Sequence, residues 1–228
     1  MKTEPVTPQE IEKRSFEIIT EELLQKGPIL INGQPVDEKA APDCEEELTM
    51  MNVVKRCIHT TADFDYAKTM CFSEGAVMRF SALIRGGATI VTDTNMALSG
   101  INKKELAKYG CSAVCYMADE DVAAEAASRQ VTRAHVSMER AMKLGGPVIF
   151  VVGNAPTALM TLRENHDLGI YTPAFVIGVP VGFVNVEAAK ELITESDIPH
   201  IVNSGRKGGS NVAAAIVNAL LYSMRDAQ

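Results

Sequence analysis

The sequence predicts an α/β protein: a three-layer α/β/α sandwich on a five-stranded parallel sheet, preceded by a helical N-terminal third with a small hairpin insertion. Three observations predict it. Five short runs beyond residue 86 are apolar almost throughout and rich in β-branched residues, as strands buried on both faces are. Segments of helical pattern separate them, which a parallel sheet needs to return each strand to the same edge. Before residue 87 the chain reads mainly as helix.

Thr7-Pro8 opens a first helix, with Thr as cap and Pro at the first helical position; Ile11, Phe16, Ile18, Ile19 and Leu23 carry its apolar positions to about Gln25. In ILINGQPV, Asn32-Gly33 between short apolar runs predicts a two-residue β-hairpin. Residues 45–60 make a second helix with His59 near its C-terminal end, and helical positions continue to about Arg85. The strands are ATIVTD (88–93), CSAVCYM (111–117), PVIFVVGN (147–154), AFVIGVPV (174–181) and HIVNS (200–204). The helices between and after them are 102–109, 119–143, 156–168, 186–195 and 209–224, the last packing on the sheet or on a second subunit. No repeat or low-complexity segment interrupts the chain, which reads as one domain: 1–86 mainly helical, with the insertion at about 27–44, and 87–228 the parallel part, of flavodoxin-like type.

At 228 residues the chain can bury a core without staples. A net charge of −7 and a pI near 5.2 argue against nucleic acid, since phosphate contacts need a basic patch; a small anionic ligand stays possible. Five cysteines with no CxxC pair form no disulfide or zinc framework, which suits a reducing cytoplasm. MKTEPVTPQE lacks the apolar core of a signal peptide. The uncharged run 168–186 has membrane-spanning length, but two prolines and three glycines make it loop, strand and loop.

In an open parallel sheet ligands bind outside the carboxyl ends of the strands. The loops there are TDTNMALSG, ADED, GNAPTA, PVGFVN and SGRKGGS, four of them with Gly and two with Pro. SGRKGGS offers helix-start amides to an anion; it is not a phosphate loop of the GxxxxGK[ST] order, and a plain Gly-rich helix start with exposed Arg206 and Lys207 is an equal reading. Arg129, Arg133 and Arg140 fall on one face of the expected 119–143 helix, with Glu125 placed to pair with Arg129; spacing leaves Arg133 undecided. His59 sits at the edge of an apolar stripe with Met51, Val54 and Ile58, so it is either a structural histidine or a proton donor. Lys55 and Arg56, one turn earlier, would lower its pKa, and Asp63, four residues later, would raise it. No HxxxH or HxxE pair supports metal binding. Cys57, Cys71, Cys111 and Cys115 lie in apolar segments, no GxSxG elbow occurs, and the eleven methionines, Met96, Met117 and Met160 among them, fill core or line an apolar ligand site.

Seven segments stand in one order along nearly the whole chain: RSFEII (14–19), VVKRCIHTTADFDYA (53–67), GATIVTDTNMALSGI (87–101), VTRAHVSME (131–139), VVGNAPTAL (151–159), PAFVIGVPVGFVN (173–185) and GRKGGSNVAAAIVNAL (205–220). Together they resemble the precorrin-8X methylmutase family of cobalamin biosynthesis, including its cobalt-precorrin-8 branch, to which HTTADFDYA and VTDTNMA look closer. The resemblance implies an isomerase that moves a methyl group from C11 to C12 of a corrin-type macrocycle, giving hydrogenobyrinate or cobyrinate. It implies His59 as the proton donor of a [1,5]-sigmatropic shift, and places Ser15 and Arg133 near the substrate. Such an enzyme needs an apolar slot, carboxylate donors and one acid. Met96, Ala97 and the Gly/Pro loops can form walls. Thr92, Asp93, Asn154, Arg206, Gly208, Gly209 and Ser210 join Ser15 and Arg133 as expected substrate contacts.

No methyl donor, cofactor or protein-held metal is implied, since cobalt would arrive within the substrate. A homodimer and handover of product to the next enzyme are the expected partnerships, without nucleic acid or membrane. Two departures stand out: the 27–44 insertion, which would cap the pocket or extend a dimer interface, and Ala188-Ala189-Lys190 where many members have Glu-Ser-Lys, leaving Lys190 as the polar candidate. A non-catalytic corrinoid carrier and a flavodoxin-like module binding a phosphorylated cofactor at GRKGGS are the rival readings.

Overall fold

The structure is a computed structural model that describes residues 7–36 and 45–226. Helix α1 (Pro8–Lys26) starts as expected, and Glu10 completes a reciprocal capping box with Thr7. The Asn-Gly pair turns strand β1 (Ile29–Ile31) into β2 (Gln34–Val36), with φ of 53° at Asn32 and 77° at Gly33, the left-handed pair of a type I′ turn. The rest of the expected insertion, residues 37–44, lies outside the described residues.

Beyond α2 (Glu45–Thr61) the structure departs from continuous helix. A single turn, α3 (Tyr66–Thr69), leads into strand β3 (Met70–Phe72), and helix resumes only at α4 (Ala76–Arg85). β3 pairs antiparallel with β8 (His200–Asn203), Met70 opposite Asn203 and Phe72 opposite Ile201, so the sheet has six strands rather than five. Three apolar residues are too few to show a strand's period, and their partner lies near the other end of the chain. Asn32 covers this edge. Its side-chain amide accepts from the Phe72 N–H at 2.7 Å and donates to the Phe72 carbonyl at 2.8 Å, as a neighbouring strand would. The described hairpin therefore packs on α3 and β3.

The parallel strands are β4 (Thr89–Thr92), β5 (Ser112–Val114), β6 (Val148–Val152), β7 (Phe175–Gly178) and β8, in the sheet order β3-β8-β7-β6-β4-β5. Counted among themselves they run 2-1-3-4-5, the flavodoxin-like order, and the build reverses direction between β4 and β6. Side chains alternate across the sheet. Ile149 and Val151 of β6 pack with Val54 of α2, Phe80 of α4 and Ile216 of α11 (Ser210–Asp226). Val148, Phe150 and Val152 pack with Met138 of α8 (Arg133–Ala141), Leu162 of α9 (Pro156–Asp167) and Ile193 of α10 (Val186–Thr194).

Two helix expectations are corrected. The stretch expected as loop after β4 forms α5 (Asn95–Gly100) ahead of α6 (Lys103–Ala107), because Thr94 caps it by accepting the Ala97 N–H at 3.1 Å. The single helix over 119–143 is α7 (Glu120–Arg129) and α8: Gln130 adopts φ 54°, and Thr132 caps α8 by accepting from the His135 N–H. Arg129 is thus on a different helix from Arg133 and Arg140; it pairs with Glu125 at 2.6 Å and also with Glu139, and Arg140 pairs with Asp121 at 2.8 Å. No helix among the described residues is long and apolar enough to cross a membrane.

Asn32→Ala removes both bonds to Phe72 and puts a residue poorly suited to positive φ in the turn, so it should cost about 2 kcal/mol in urea unfolding. Asn32→Gly keeps the turn and should recover about half of that. No loss in either variant would remove the edge-covering role.

Candidate functional site

Asp93 follows β4, is fully buried, and bridges the point where the strand order reverses. One carboxylate oxygen accepts the Gly153 N–H at 2.9 Å, and the other accepts those of Asn154 at 2.8 Å and Ala155 at 2.6 Å. Burial raises its pKa, and the three amides pull the other way. Thr92 is equally buried, with its hydroxyl directed at the carbonyls of Thr94 (3.0 Å) and Val114 (3.4 Å). Both were expected as substrate contacts; their polar atoms are engaged with the main chain of the site floor.

Four loops converge on the first turn of α11. Thr94 Oγ1 and Ser210 Oγ are hydrogen-bonded at 2.7 Å. Gly153 approaches so closely that a Cβ would stand 2.7 Å from Ser210 Cα, and one on Gly208 would stand 2.1 Å from the Val179 carbonyl oxygen. Gly209 donates to that same carbonyl at 2.9 Å. The glycines of GRKGGS thus let main chain pack on main chain, leaving the first α11 amides without partners inside the helix. Lys190, 1% exposed, supports the loop from below, donating to the carbonyls of Gly205 at 2.8 Å and Lys207 at 2.7 Å. Burial draws its pKa down to about 8, against the pull of Glu187. Arg206 pairs with Glu187 at 2.8 Å and lies 5.8 Å from the Phe183 ring centre.

His59 is exposed on the last turn of α2, stacked on Phe16 of α1 with ring centres 5.1 Å apart. Arg56 shares that Phe16 ring at 4.6 Å and pairs with Glu12 at 2.6 Å. Asp63, expected to act on His59, instead pairs with Lys207 at 2.5 Å, as does Asp65. That contact ties the turn after the histidine helix to the loop after β8. The other three histidines have partners: His135 meets Thr161 at 2.8 Å and Glu139 at 3.0 Å, His166 meets Asp197 at 2.6 Å, and His200 Nδ1 meets the Ile198 carbonyl at 2.8 Å. Among the described residues, the His59 ring nitrogens have no hydrogen-bond partner.

The profile of the precorrin-8X methylmutase family matches residues 10–223. The chain belongs to that family. It is an isomerase of the methylmutase class. It is 42% identical over 221 residues to the cobalt-precorrin-8 methylmutase of Salmonella typhimurium, covering 96% of this chain and 97% of that one. It is 38% identical over 168 residues to the precorrin-8X methylmutase of Pseudomonas aeruginosa, covering 72% and 80%. The solved precorrin-8X methylmutase of Thermus thermophilus superposes with a TM-score of 0.79 at 36% identity, over 95% of this chain and 98% of that one.

In this methylmutase the remaining expected contacts are spread around the converging loops. Met96, 70% exposed, and Asn154, exposed, lie on them directly. Arg133, exposed, begins α8, whose cap Thr132 bonds to Thr157 at 3.1 Å, three residues beyond Asn154. Ser15 is half-buried beside Phe16, its hydroxyl donating to the Ile11 carbonyl at 2.8 Å. Phe16, Thr94, Gly153 and the Lys207 pairings were not singled out; of these, only Thr94 ahead of a helical run carried a sequence signal. A cavity of about 1170 Å³ lies at the other edge of the sheet, lined by Arg79, Ala174, Asp197 and His200 where β7 and β8 begin. None of the expected site residues lines it, and volume alone does not outweigh the convergence of strand ends. Thiolate chemistry is disfavoured at three cysteines: burial pushes Cys57 up to about 12 and also raises Cys71 and Cys111.

Asp93→Asn sets an amide NH2 against main-chain N–H donors and should cost about 3 kcal/mol in denaturant unfolding. His200 gives the pH dependence. Burial lowers its pKa, so between that value and about 6.5 the unfolded chain binds more protons than the folded one. Stability should therefore fall as pH drops below about 6.5, and a melting series from pH 7.5 to 5 should show a smaller drop in His200→Gln.

Proposed function

We propose that the chain moves the C11 methyl of a precorrin-8-type macrocycle to C12, with His59 lending a proton. The carrying observation is that His59, one helical turn before the Lys207 contacts, has no hydrogen-bond partner at either ring nitrogen among the described residues, while the other three histidines are engaged. In the [1,5] shift the C11–methyl bond breaks as the C12–methyl bond forms and the conjugated electrons move one position along. Protonation of a ring nitrogen or neighbouring imine favours the shift, and the proton is returned afterwards. Atoms balance without a methyl donor, so no cofactor is needed.

Exposed Met96 (70%), Val181 (47%) and Phe183 (83%) on the carboxyl-end loops offer apolar surface to the ring. Arg133, Asn154, Ser15 and the α11 start face the peripheral carboxylates. The name of the Salmonella relative supports a cobalt-bearing substrate, with the metal inside the macrocycle. The enzyme would act in the cytoplasm as a homodimer and hand its product to the next enzyme. A phosphate cradle at GRKGGS is less favoured, because Arg206 and Lys207 already face carboxylates.

His59→Ala should keep macrocycle binding, read by absorbance titration, and lower turnover of supplied precorrin-8 on the order of 100-fold or more. Binding without turnover in the unaltered protein would favour the carrier reading, and unchanged turnover in the variant would remove His59 as the acid.

A further inference from the structure

We propose that Lys207 is a positioning residue for His59: it clamps the turn that ends the histidine helix to the loop after β8, and so sets where the imidazole stands relative to the strand ends. This rests on the reading of His59 as the acid.

Lys207 is held at both ends. Its carbonyl accepts from Lys190 Nζ and from Asn203 Nδ2, each at 2.7 Å, and those donors are 1% and 0% exposed. Its ammonium stands 2.5 Å from a carboxylate oxygen of Asp63 and of Asp65. The turn it grips is itself tightly built. Thr61 Oγ1 donates to the Cys57 carbonyl at 2.8 Å and accepts the Asp63 N–H at 3.2 Å, and Asp63 accepts the Asp65 N–H at 3.0 Å. Ala62, between them, adopts φ 55°, a left-handed conformation that a residue with a Cβ keeps only where its surroundings hold it there. Its N–H still closes the helix onto the Ile58 carbonyl at 2.7 Å. His59 precedes this locked turn by one helical turn, so displacing the turn displaces the imidazole. Proton transfer tolerates little misplacement.

Two carboxylates already face the Lys207 ammonium, which separates the clamp from the obvious alternative, a cation for the substrate's own carboxylates. Those two roles predict opposite kinetics. With supplied precorrin-8, Lys207→Met should lower kcat on the order of tenfold with KM within about twofold. Its melting temperature should change little, because exposed ion pairs add little stability. Lys207→Arg, which can still span to the two carboxylates, should restore most of the rate. The double variant Asp63→Asn, Asp65→Asn should lose kcat as Lys207→Met does, and it carries the test together with Lys207→Arg if Lys207→Met fails to fold.

A raised KM in Lys207→Met joined to a lowered KM in the double asparagine variant would overturn the clamp and make Lys207 a substrate contact. Unchanged kcat in all variants would overturn it as well. No turnover by the unaltered protein would instead overturn the function on which the clamp rests.

Discussion

One carboxylate organises the carboxyl edge of this sheet. Asp93 sits where the strand order reverses, the place at which two neighbouring strands send their chains to opposite sides and a crevice opens. By accepting the amides of residues 153–155 it draws the loop after β6 across that crevice. The loop's position then decides what can lie beside it. Gly153 is pressed against the α11 start, where any side chain would collide, and Ser210 meets Thr94, the cap of α5. A buried anion is costly unless donors replace its water; here three amides do so. The consequence is a rigid floor from which a substrate site can be built without using the floor's own polar atoms.

A second tier of polar contacts rests on that floor, and charge explains its form. The GRKGGS loop carries two cations in a chain of net charge −7, yet neither is free to gather phosphate. Arg206 turns to Glu187 and Lys207 to Asp63 and Asp65, while Lys190 takes up carbonyls from beneath. Basic residues in a glycine-rich loop suggest anion binding when read one at a time. In the fold they act as ties between elements, and the loop's available polarity is that of a helix start. That suits the recognition of carboxylates on a macrocycle more than the cradling of a nucleotide.

Legibility in the sequence followed locality. The five parallel strands showed because burial on both faces demands continuous apolar runs, and the hairpin showed because Asn-Gly favours two successive positive φ values. β3 stayed hidden, since its three residues become a strand only through β8 and the Asn32 side chain. The break at Gln130 was missed because its neighbours are acceptable helix formers and the decisive event is a Thr132 cap that competes with continuation. Thr92 and Asp93 stand at the carboxyl end of β4, as the apolar run implies, but which way a buried side chain turns depends on strands paired across the sheet. The Lys207 contact was out of reach for the same reason: its partners lie in the first third of the chain.

His59 shows how such long-range facts change the weight of a local one. By spacing it is a helix-edge histidine, a kind that usually packs or caps. In the fold the other three histidines are each bonded to a side chain or carbonyl, whereas His59 has an aromatic support and, among the described residues, no hydrogen-bond partner at its nitrogens. The support comes from α1. Phe16 holds the imidazole by stacking and takes the Arg56 guanidinium at the same ring, while Glu12, one turn earlier, pairs with that guanidinium. On the proposed reading of His59, helix α1 serves the working part of the molecule, and Ser15 comes with it as the neighbour of Phe16. In the role proposed for it, an acid must present a nitrogen to the substrate without being satisfied beforehand, and a ring stacked on Phe16 fits both demands: the face is fixed and the edges are left for the substrate.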